Sequence, residues 1–411
     1  MQDARPMLIV GAGHVGGRAA QALREFGWAG PVVMVGDEPH LPYERPPLSK
    51  AVLTGEQPAE ECRLRPAADY DTDSITHIRA RVQAIDAAAH EVVLEGGRRL
   101  AYEALLLATG GHARQLTIPG SDLPGVLSLR TLGDAAALAP RLRDGARIVI
   151  VGGGFIGLEV AASARQRGCR VSLLEGAPRL MGRAVPAAVA EQMLALHRSR
   201  GVDVRLGCGP LAIEQRGAAL SLSLQDGSSI EADTVVVGIG IAPATALAQA
   251  AGLAVNRGVV VDACLQTNVP GIYAAGDVAE FPGALSGLPM RQETWHNAET
   301  QARTAARNML GGHEPYAALP WFWSDQYDHQ LQVAGEPALG VRSVERRLGD
   351  GAQIHFDLDA EGRVVGASGC GPSSVVVREL KLARMLVERG AKPDPLSLAD
   401  ASVKLKSLLN A

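Results

Sequence analysis

The feature that most constrains this chain is a repeat. The segment PMLIVGAGHVGGRAAQALREFG (residues 6–27) lies on RIVIVGGGFIGLEVAASARQRG (residues 147–168) without a gap, at an offset of 141 residues. Each copy opens on a short unbroken apolar run, as a parallel strand buried on both faces requires. Each continues through G-x-G-x-x-G into an alanine-rich stretch with helical spacing: Gly11, Gly13 and Gly16 in the first copy, Gly152, Gly154 and Gly157 in the second. The chemistry of a pyrophosphate explains the spacing. The first glycine makes the tight turn, the second lets the backbone approach the phosphates, and the third lets helix and strand pack closely. The helix N-terminus adds unpaired N–H groups and the positive end of its dipole. One such motif is a weak signal, since a structural turn accounts for it as well. Here both copies are framed by a strand and a helix, and both lead to a second strand ending in an acid about 20 residues on. VVMVGDE brings Asp37 and Glu38, and VSLLEG brings Glu175. Two dinucleotides are therefore expected. An acid at that point accepts hydrogen bonds from a ribose diol and repels a 2′-phosphate. No arginine directly follows Glu175, which favours NAD(H) over NADP(H) in the second site, while Arg179 and Arg183 argue the other way.

Composition removes several classes. With 40 basic and 44 acidic residues the formal net charge is −4, which is no footprint for a nucleic-acid binder. Apolar runs such as ALLLATGG have strand length, well short of the roughly 20 residues that cross a bilayer, so no membrane partner is expected. Cys62, Cys169, Cys208, Cys264 and Cys370 are scattered, with no C-x-x-C or C-x-x-H pairing, so neither a metal site nor a disulfide framework is expected. MQDARPMLIVGAG runs straight into a strand without the features of a signal peptide, and a reducing, cytoplasmic setting is expected. At 411 residues the chain exceeds one ordinary core, and about two to three domains follow.

Between the repeats lies YEALLLATGGHAR (102–114), and after the second comes DTVVVGIGIAP (233–243); both read as buried strands that carry the chain between domains. QTNVPGIYAAGDVA (266–279) reads as a turn, a strand and then Gly276-Asp277. With these segments the sequence resembles the flavoprotein reductases that have two dinucleotide-binding domains, whose threonine followed by apolar-Tyr-Ala-x-Gly-Asp matches Thr267 through Asp277. LPYERPPLSK (41–50) narrows the resemblance to the FAD-dependent ferredoxin reductases that serve aromatic-ring dioxygenases and bacterial cytochromes P450. Disulfide reductases of this fold carry C-x(4)-C in that segment and peroxidase-type relatives a single redox cysteine; this segment has neither. SLRTLGDA (128–135), RLMGRA (179–184), ETWHNAETQA (293–302) and PWFWSDQ (320–326) resemble further family segments in the expected order.

The resemblance implies roles by position. Gly11, Gly13 and His14 would surround the FAD pyrophosphate, with Asp37 on its ribose and Asp277 on its ribityl chain. An Asp277 that merely caps a helix is the plainer alternative. Arg45 and Lys50 would lie near the isoalloxazine or the phosphates, where positive charge favours an anionic reduced flavin; surface salt bridging is the alternative. Arg130 would contact the FAD phosphates and Val82 the adenine surroundings, unless Val82 is plain strand core. Gly152, Gly154, Phe155, Ile156 and Gly238 would approach NADH, Glu175 its adenosine ribose, and Arg183 a phosphate or the adenine. Glu159 resembles the family glutamate that faces the nicotinamide, although a solvent-facing helical glutamate would look the same in sequence. Its counterpart in the first copy is Arg18. PWFWSDQY gathers two of the four tryptophans of a chain that is only 4% aromatic. Trp323 would lie beside the flavin ring and Trp295 would line the same pocket, where large flat side chains exclude water; Trp321 and Phe322 read as core packing. Lys50, Glu159 and Trp323 are thus the catalytic candidates. Arg303 and Arg307, one helical turn apart, would either greet an acidic ferredoxin or form a solvated face.

The expected architecture is α/β: two Rossmann-like dinucleotide-binding domains, one for FAD (1–112 and 244–318) and one for NAD (113–243), with a C-terminal α+β domain (319–411). The resemblance implies that NADH reduces FAD and that electrons then pass singly to a [2Fe-2S] ferredoxin, with a Rieske-type ferredoxin favoured. The alternatives are the ferredoxin reductase of a cytochrome P450 system, an NADH oxidase, and a flavoprotein that signals NAD by changing its oligomeric state.

Overall fold

A computed structural model describes residues 5–182 and 184–410. The chain divides into two compact units, Met1–Arg45, Glu60–His112 and Ala242–Pro320 in the first, and Pro46–Ala59, Ala113–Ile241 and Trp321–Ala411 in the second.

In the first unit, MLIV forms strand β1 (Met7–Val10), fully buried, and the glycine turn after it feeds helix α1 (His14–Glu25), whose alanines face inward. Strand β2 (Val32–Gly36) follows and pairs parallel to β1. Five strands form the sheet in the order 272–274, 104–107, 7–10, 32–36 and 75–79, all parallel. Parallel strands covered on both faces need apolar side chains at every position, which is why Leu8, Ile9, Leu105 and Leu106 are all 0% exposed.

The second unit repeats this plan. Strand β3 (Arg147–Val151), helix α2 (Phe155–Gln166) and strand β4 (Arg170–Glu175) are the counterparts of β1, α1 and β2. The sheet order is 203–206, 170–175, 147–151, 234–237 and 126–128, again all parallel. In both sheets the strand that carries the glycine motif is central, with its successor on one side and a later strand on the other. That is the switch point where α/β sheets bind ligands beyond their strand ends. Each unit also holds a three-stranded antiparallel sheet inserted before the later strand, 82–101 in the first and 210–232 in the second.

Helix α3 (Ala187–Ser199) lies between β4 and the strand at 203–206. The unit's last segment begins with strand β5 (Trp321–Gln326), the edge of a five-stranded antiparallel sheet in the order 321–326, 329–335, 364–372, 353–358 and 342–347. Helix Ser373–Glu388 packs on this sheet, which makes the segment α+β. Arg346 is 2% exposed there and donates to the backbone carbonyls of Leu398, Asp400 and Val403, fastening the end of the chain to the sheet. The architecture is therefore α/β with two Rossmann-like sheets and a C-terminal α+β part. Among the described residues no helix is long and apolar enough to cross a membrane.

Candidate functional site

The three glycines of each motif are glycine for different reasons. Gly11 (φ +113°) and Gly152 (φ +111°) occupy backbone that other residues rarely adopt, and a Cβ would stand 2.1 Å from the Ala108 carbonyl oxygen and 2.5 Å from that of Gly238, respectively. Gly16 and Gly157 face the carbonyls of Gly11 and Gly152, where a Cβ would come to 2.0 Å in both copies. The chain's own packing therefore dictates the first and third glycines. The middle ones are different. Gly13 and Gly154 have ordinary extended backbone, with φ −88° and −81°. A Cβ on Gly154 would meet nothing within 4 Å, and one on Gly13 only the Arg45 guanidinium at 3.9 Å. Nothing among the described residues asks for glycine there, so the requirement comes from a group that approaches the backbone at the N-termini of α1 and α2. A pyrophosphate is such a group, and the residues fit a dinucleotide at each motif.

The acids at the ends of the second strands are not equivalent. Register sets Val35 opposite Val10 and Leu174 opposite Val151. The structural match of Glu175 is therefore Gly36, and Asp37 stands one residue beyond the strand. The expectation that both strands end in an acid holds only for β4. Packing explains the difference, since a Cβ on Gly36 would lie 2.7 Å from that of Ala12. In the second copy the position of Ala12 is Gly153, whose N–H donates to Glu175 Oε2 at 2.6 Å, while Ala177 N–H donates to Oε1 at 2.7 Å. Asp37 is exposed and pairs with Arg81 at 3.0 Å.

Around the first motif, Arg45 is held by Glu38 at 3.0 Å and stands over the Tyr43 ring. His14, at the first turn of α1, meets Trp295 edge-on with centroids 5.7 Å apart. Glu299 Oε1 accepts from the His14 ring and from Arg18 Nε, both at 2.6 Å. Burial alone would raise the Glu299 carboxyl, but the bonds from His14 and Arg18 outweigh it and hold it below its ordinary range. Asp277 follows Gly276, whose N–H donates to Gln301 and whose missing Cβ leaves room for Val15. Its helical turn starts at Ala275 without a side-chain cap, and Asp277 lies inside that turn rather than at its cap position. Val82 begins an antiparallel strand at a bulge and packs on the unit's core.

The second unit contains a buried polar cluster around Glu159. Glu159, on α2, is 4% exposed, which sets aside a solvent-facing helical glutamate. Lys50 Nζ lies 3.0 Å from Glu159 Oε1, and Ser324 donates to the same oxygen at 2.6 Å. Ser49 donates to Oε2. One turn before Glu159, Phe155 packs edge-to-face on Phe322 with centroids 4.8 Å apart. Positions i and i+4 of a helix are about 6 Å apart along the axis, and positions i and i+2 of a strand about 6.7 Å. Phe155 and Glu159 therefore fit Phe322 and Ser324 in step. The first copy builds the same arrangement with two helices, His14 and Arg18 against Trp295 and Glu299. Ser49, Ser324 and Gln326 were missed in the sequence. The signal was available, because β5 reads Phe322, Ser324, Gln326 on one face and Trp321, Trp323, Asp325 on the other.

Pleat alternation corrects the treatment of the aromatic cluster. Trp321 and Phe322 do not share a role: Phe322 turns toward α2, whereas Trp321 stacks on Trp323 with centroids 5.0 Å apart and an interplanar angle of 24°. Trp323 Nε1 donates to Asp325 at 2.9 Å, and the Arg384 guanidinium lies over Trp321. Gly238 follows the strand beside β3, against the Gly152 turn. Ile156 is 45% exposed. Arg130 immediately precedes Thr131, which with Asp134 forms a capping box on helix Leu132–Leu138. Arg183 lies outside the described residues. Arg303 and Arg307 are engaged by Glu25 and Glu314 at 2.5 and 2.9 Å.

Residues 5–302 match the family described as pyridine nucleotide-disulphide oxidoreductase. The chain belongs to that family. Residues 321–409 match a second one, described as reductase C-terminal. Over 413 residues the chain is 43% identical to the anthranilate 1,2-dioxygenase system ferredoxin–NAD(+) reductase component of Burkholderia cepacia, covering 99% of this chain and 100% of that protein. It is 40% identical to the corresponding component of the p-cumate 2,3-dioxygenase system of Pseudomonas putida, over 98% of each. Among solved structures it is similar to putidaredoxin reductase in its covalent complex with putidaredoxin (TM-score 0.92, 35% identity, 99% of each chain). The ferredoxin reductase for the CYP199A2 system of Rhodopseudomonas palustris has a TM-score of 0.93 at 36% identity, over 98% of this chain and 99% of that one. The family's cofactors, FAD and NAD(H), agree with the two glycine cradles. Its disulfide has no counterpart in the segment 41–50, and the nearby Cys62 is 2% exposed, with burial and then neighbouring carboxylates pushing its thiol up.

Proposed function

We propose that this chain is an NADH-dependent ferredoxin reductase, passing electrons from NADH through FAD to a [2Fe-2S] ferredoxin that feeds an aromatic-ring-hydroxylating dioxygenase. Bound FAD supplies a carrier that takes two electrons together and releases them one at a time. The protein's part is to bind, orient and exclude water. The observation that carries the proposal is the pair of middle glycines, which packing does not require and a phosphate backbone does.

On the resemblance of the sequence, Gly11, Gly13, His14, Asp37, Arg45, Lys50, Val82, Arg130, Asp277 and Trp295 are assigned to FAD. Gly152, Gly154, Ile156, Glu175 and Gly238 are assigned to NADH, and Arg183 with them by sequence. Glu159 presents its carboxylate to the nicotinamide end, and Lys50 holds that carboxylate by its charge. Trp323, stacked on Trp321, supplies a flat apolar wall. The domains follow as 1–112 with 244–318 for FAD, 113–243 for NAD and 319–411 for the C-terminal part. A reducing cytoplasm suits five cysteines that are all unpaired. A Rieske-type ferredoxin is the favoured acceptor because two of the relatives above belong to dioxygenase systems. The similarity to putidaredoxin reductase supports the cytochrome P450 alternative.

The test is anaerobic mixing of the purified, FAD-loaded protein with NADH or NADPH, followed by Rieske-type or P450-type ferredoxin and cytochrome c. NADH is expected to bleach the flavin faster than NADPH, and cytochrome c reduction is expected to need ferredoxin. A protein that takes up no FAD, or that reduces oxygen as fast without ferredoxin as cytochrome c with it, refutes the proposal.

A further inference from the structure

Behind Glu159 a line of buried polar side chains runs away from Lys50. Ser324 donates to Glu159 Oε1 at 2.6 Å, Gln326 Nε2 donates to Ser324 Oγ at 3.0 Å, and Gln326 Oε1 lies 2.6 Å from His197 Nε2. The Tyr327 hydroxyl stands 3.4 Å from His197 Nδ1. His197 is 0% exposed and Ser324 and Gln326 1% each, so every one of these groups depends on the others for its hydrogen bonds. Alternation along β5 sends Ser324 and Gln326 to the same face, and His197 meets them from the last turn of α3.

The direction of each bond follows from one fact, that a carboxylate only accepts. Ser324 must then donate to Glu159, so its oxygen accepts from the Gln326 amide nitrogen. That turns the Gln326 carbonyl oxygen to His197, whose Nε2 must carry the proton, and Nδ1 is left to accept from Tyr327. Burial lowers the His197 pKa and the Gln326 bond only partly offsets it, which agrees with a neutral ring. Tyr327 is held at φ +58° in the hairpin turn, a conformation costly for a bulky side chain. Its ring lies against that of His197 with centroids 5.3 Å apart.

We propose that Tyr327, His197, Gln326 and Ser324 form a one-directional hydrogen-bond relay that fixes the Glu159 carboxylate beside Lys50, and that His197 and Gln326 are thereby positioning residues for the reaction with NADH. This rests on the assignment of Glu159 to the nicotinamide end. Bonds aligned head to tail polarise one another in a low-dielectric interior, so a break two links away is felt at the carboxylate.

The test has two arms on the FAD-loaded protein. Ring-nitrogen NMR of ¹⁵N-histidine-labelled enzyme, with His197 assigned by its loss in His197→Phe, is expected to show a neutral ring protonated at Nε2. In Ser324→Ala, where nothing pins the amide, the signal is expected to move toward a mixture of tautomers. In anaerobic stopped flow, Gln326→Met is expected to slow flavin reduction at saturating NADH by about 3–10-fold, the worth of one hydrogen bond. The NADH concentration for half-saturation and the onward transfer to ferredoxin are expected to change less than about twofold. Ser324→Ala, expected to slow reduction at least as much, serves should Gln326→Met fail to fold. A His197 ring protonated at Nδ1 or at both nitrogens, or an unchanged reduction rate in the folded variant, overturns the relay. Glu159→Gln separates the two claims: if it leaves reduction by NADH unchanged, the assignment of Glu159 itself fails, and the relay's role with it.

Discussion

The distinction among the glycines gives a sharp test. Gly154→Ala places a methyl group where no described residue has an atom within 4 Å, on backbone of φ −81° that alanine adopts freely. Its effect on folding is expected to stay within about 0.5 kcal/mol. Gly152→Ala has to hold alanine at φ +111° with its Cβ 2.5 Å from the Gly238 carbonyl oxygen. The backbone term alone costs about 1–3 kcal/mol, and the contact adds to it, so a total near 3 kcal/mol and a fall in Tm of about 6–12 °C are expected. Binding should show the reverse contrast. A methyl on Gly154 holds the pyrophosphate off the N–H groups of α2 and removes at least one charge-assisted hydrogen bond, about 1.5–3 kcal/mol, or about 10–150-fold in NADH affinity. Scanning fluorimetry supplies the first number, and anaerobic titration of flavin reduction against NADH the second. Should Gly154→Ala leave the NADH dependence unchanged, or should its Tm fall with that of Gly152→Ala, the reasoning that separates packing glycines from ligand glycines is wrong.

Three more outcomes are expected. Glu175→Ala removes the acceptor of two backbone N–H groups; it should cost about 1–2 kcal/mol of stability and narrow the preference for NADH over NADPH about tenfold or more in kcat/KM, and an unchanged preference would remove Glu175 from the ribose. Arg346→Met strands four carbonyls at the end of the chain and should destabilise by about 2–4 kcal/mol in urea unfolding, a loss below about 1 kcal/mol counting against the fastening. Burial pushes the Asp357 carboxyl up to about 6, against a smaller opposing bond from Ser343. The folded state thus holds a proton that the unfolded chain has lost between about pH 4 and 6, and stability declines as pH rises through that window. Asp357→Asn should flatten the decline and add about 1–2 kcal/mol at pH 7 after allowance for solvent screening, and equal pH profiles for the two proteins would refute this.

What the sequence disclosed follows from the range of its signals. The motif glycines act within a few residues of themselves, so their spacing is written locally. Both sheets, both helices and Gly276-Asp277 were legible for that reason. The hydroxyl partners of Glu159 were not, because Ser49 and Ser324 come from segments far apart in the chain and are small polar residues that also suit a surface. Only the parity of Phe322, Ser324 and Gln326 along β5 marks them. Trp321 was misplaced for the same cause, since its proximity to Phe322 in sequence hid that neighbours on a strand point to opposite faces. The acid after β2 was misjudged because register, not distance along the chain, decides which residue stands at the strand end.

The shared frame of the two copies carries one difference of sign, Arg18 in α1 and Glu159 in α2, each answered by an opposite charge from a distant segment, Glu299 or Lys50. Two near-duplicate halves on one polypeptide risk misassembly during folding, each helix settling into the other's berth. Here that error sets Glu159 against Glu299 and Arg18 against Lys50, like charges removed from water. The polarity thus sorts the halves as the chain collapses.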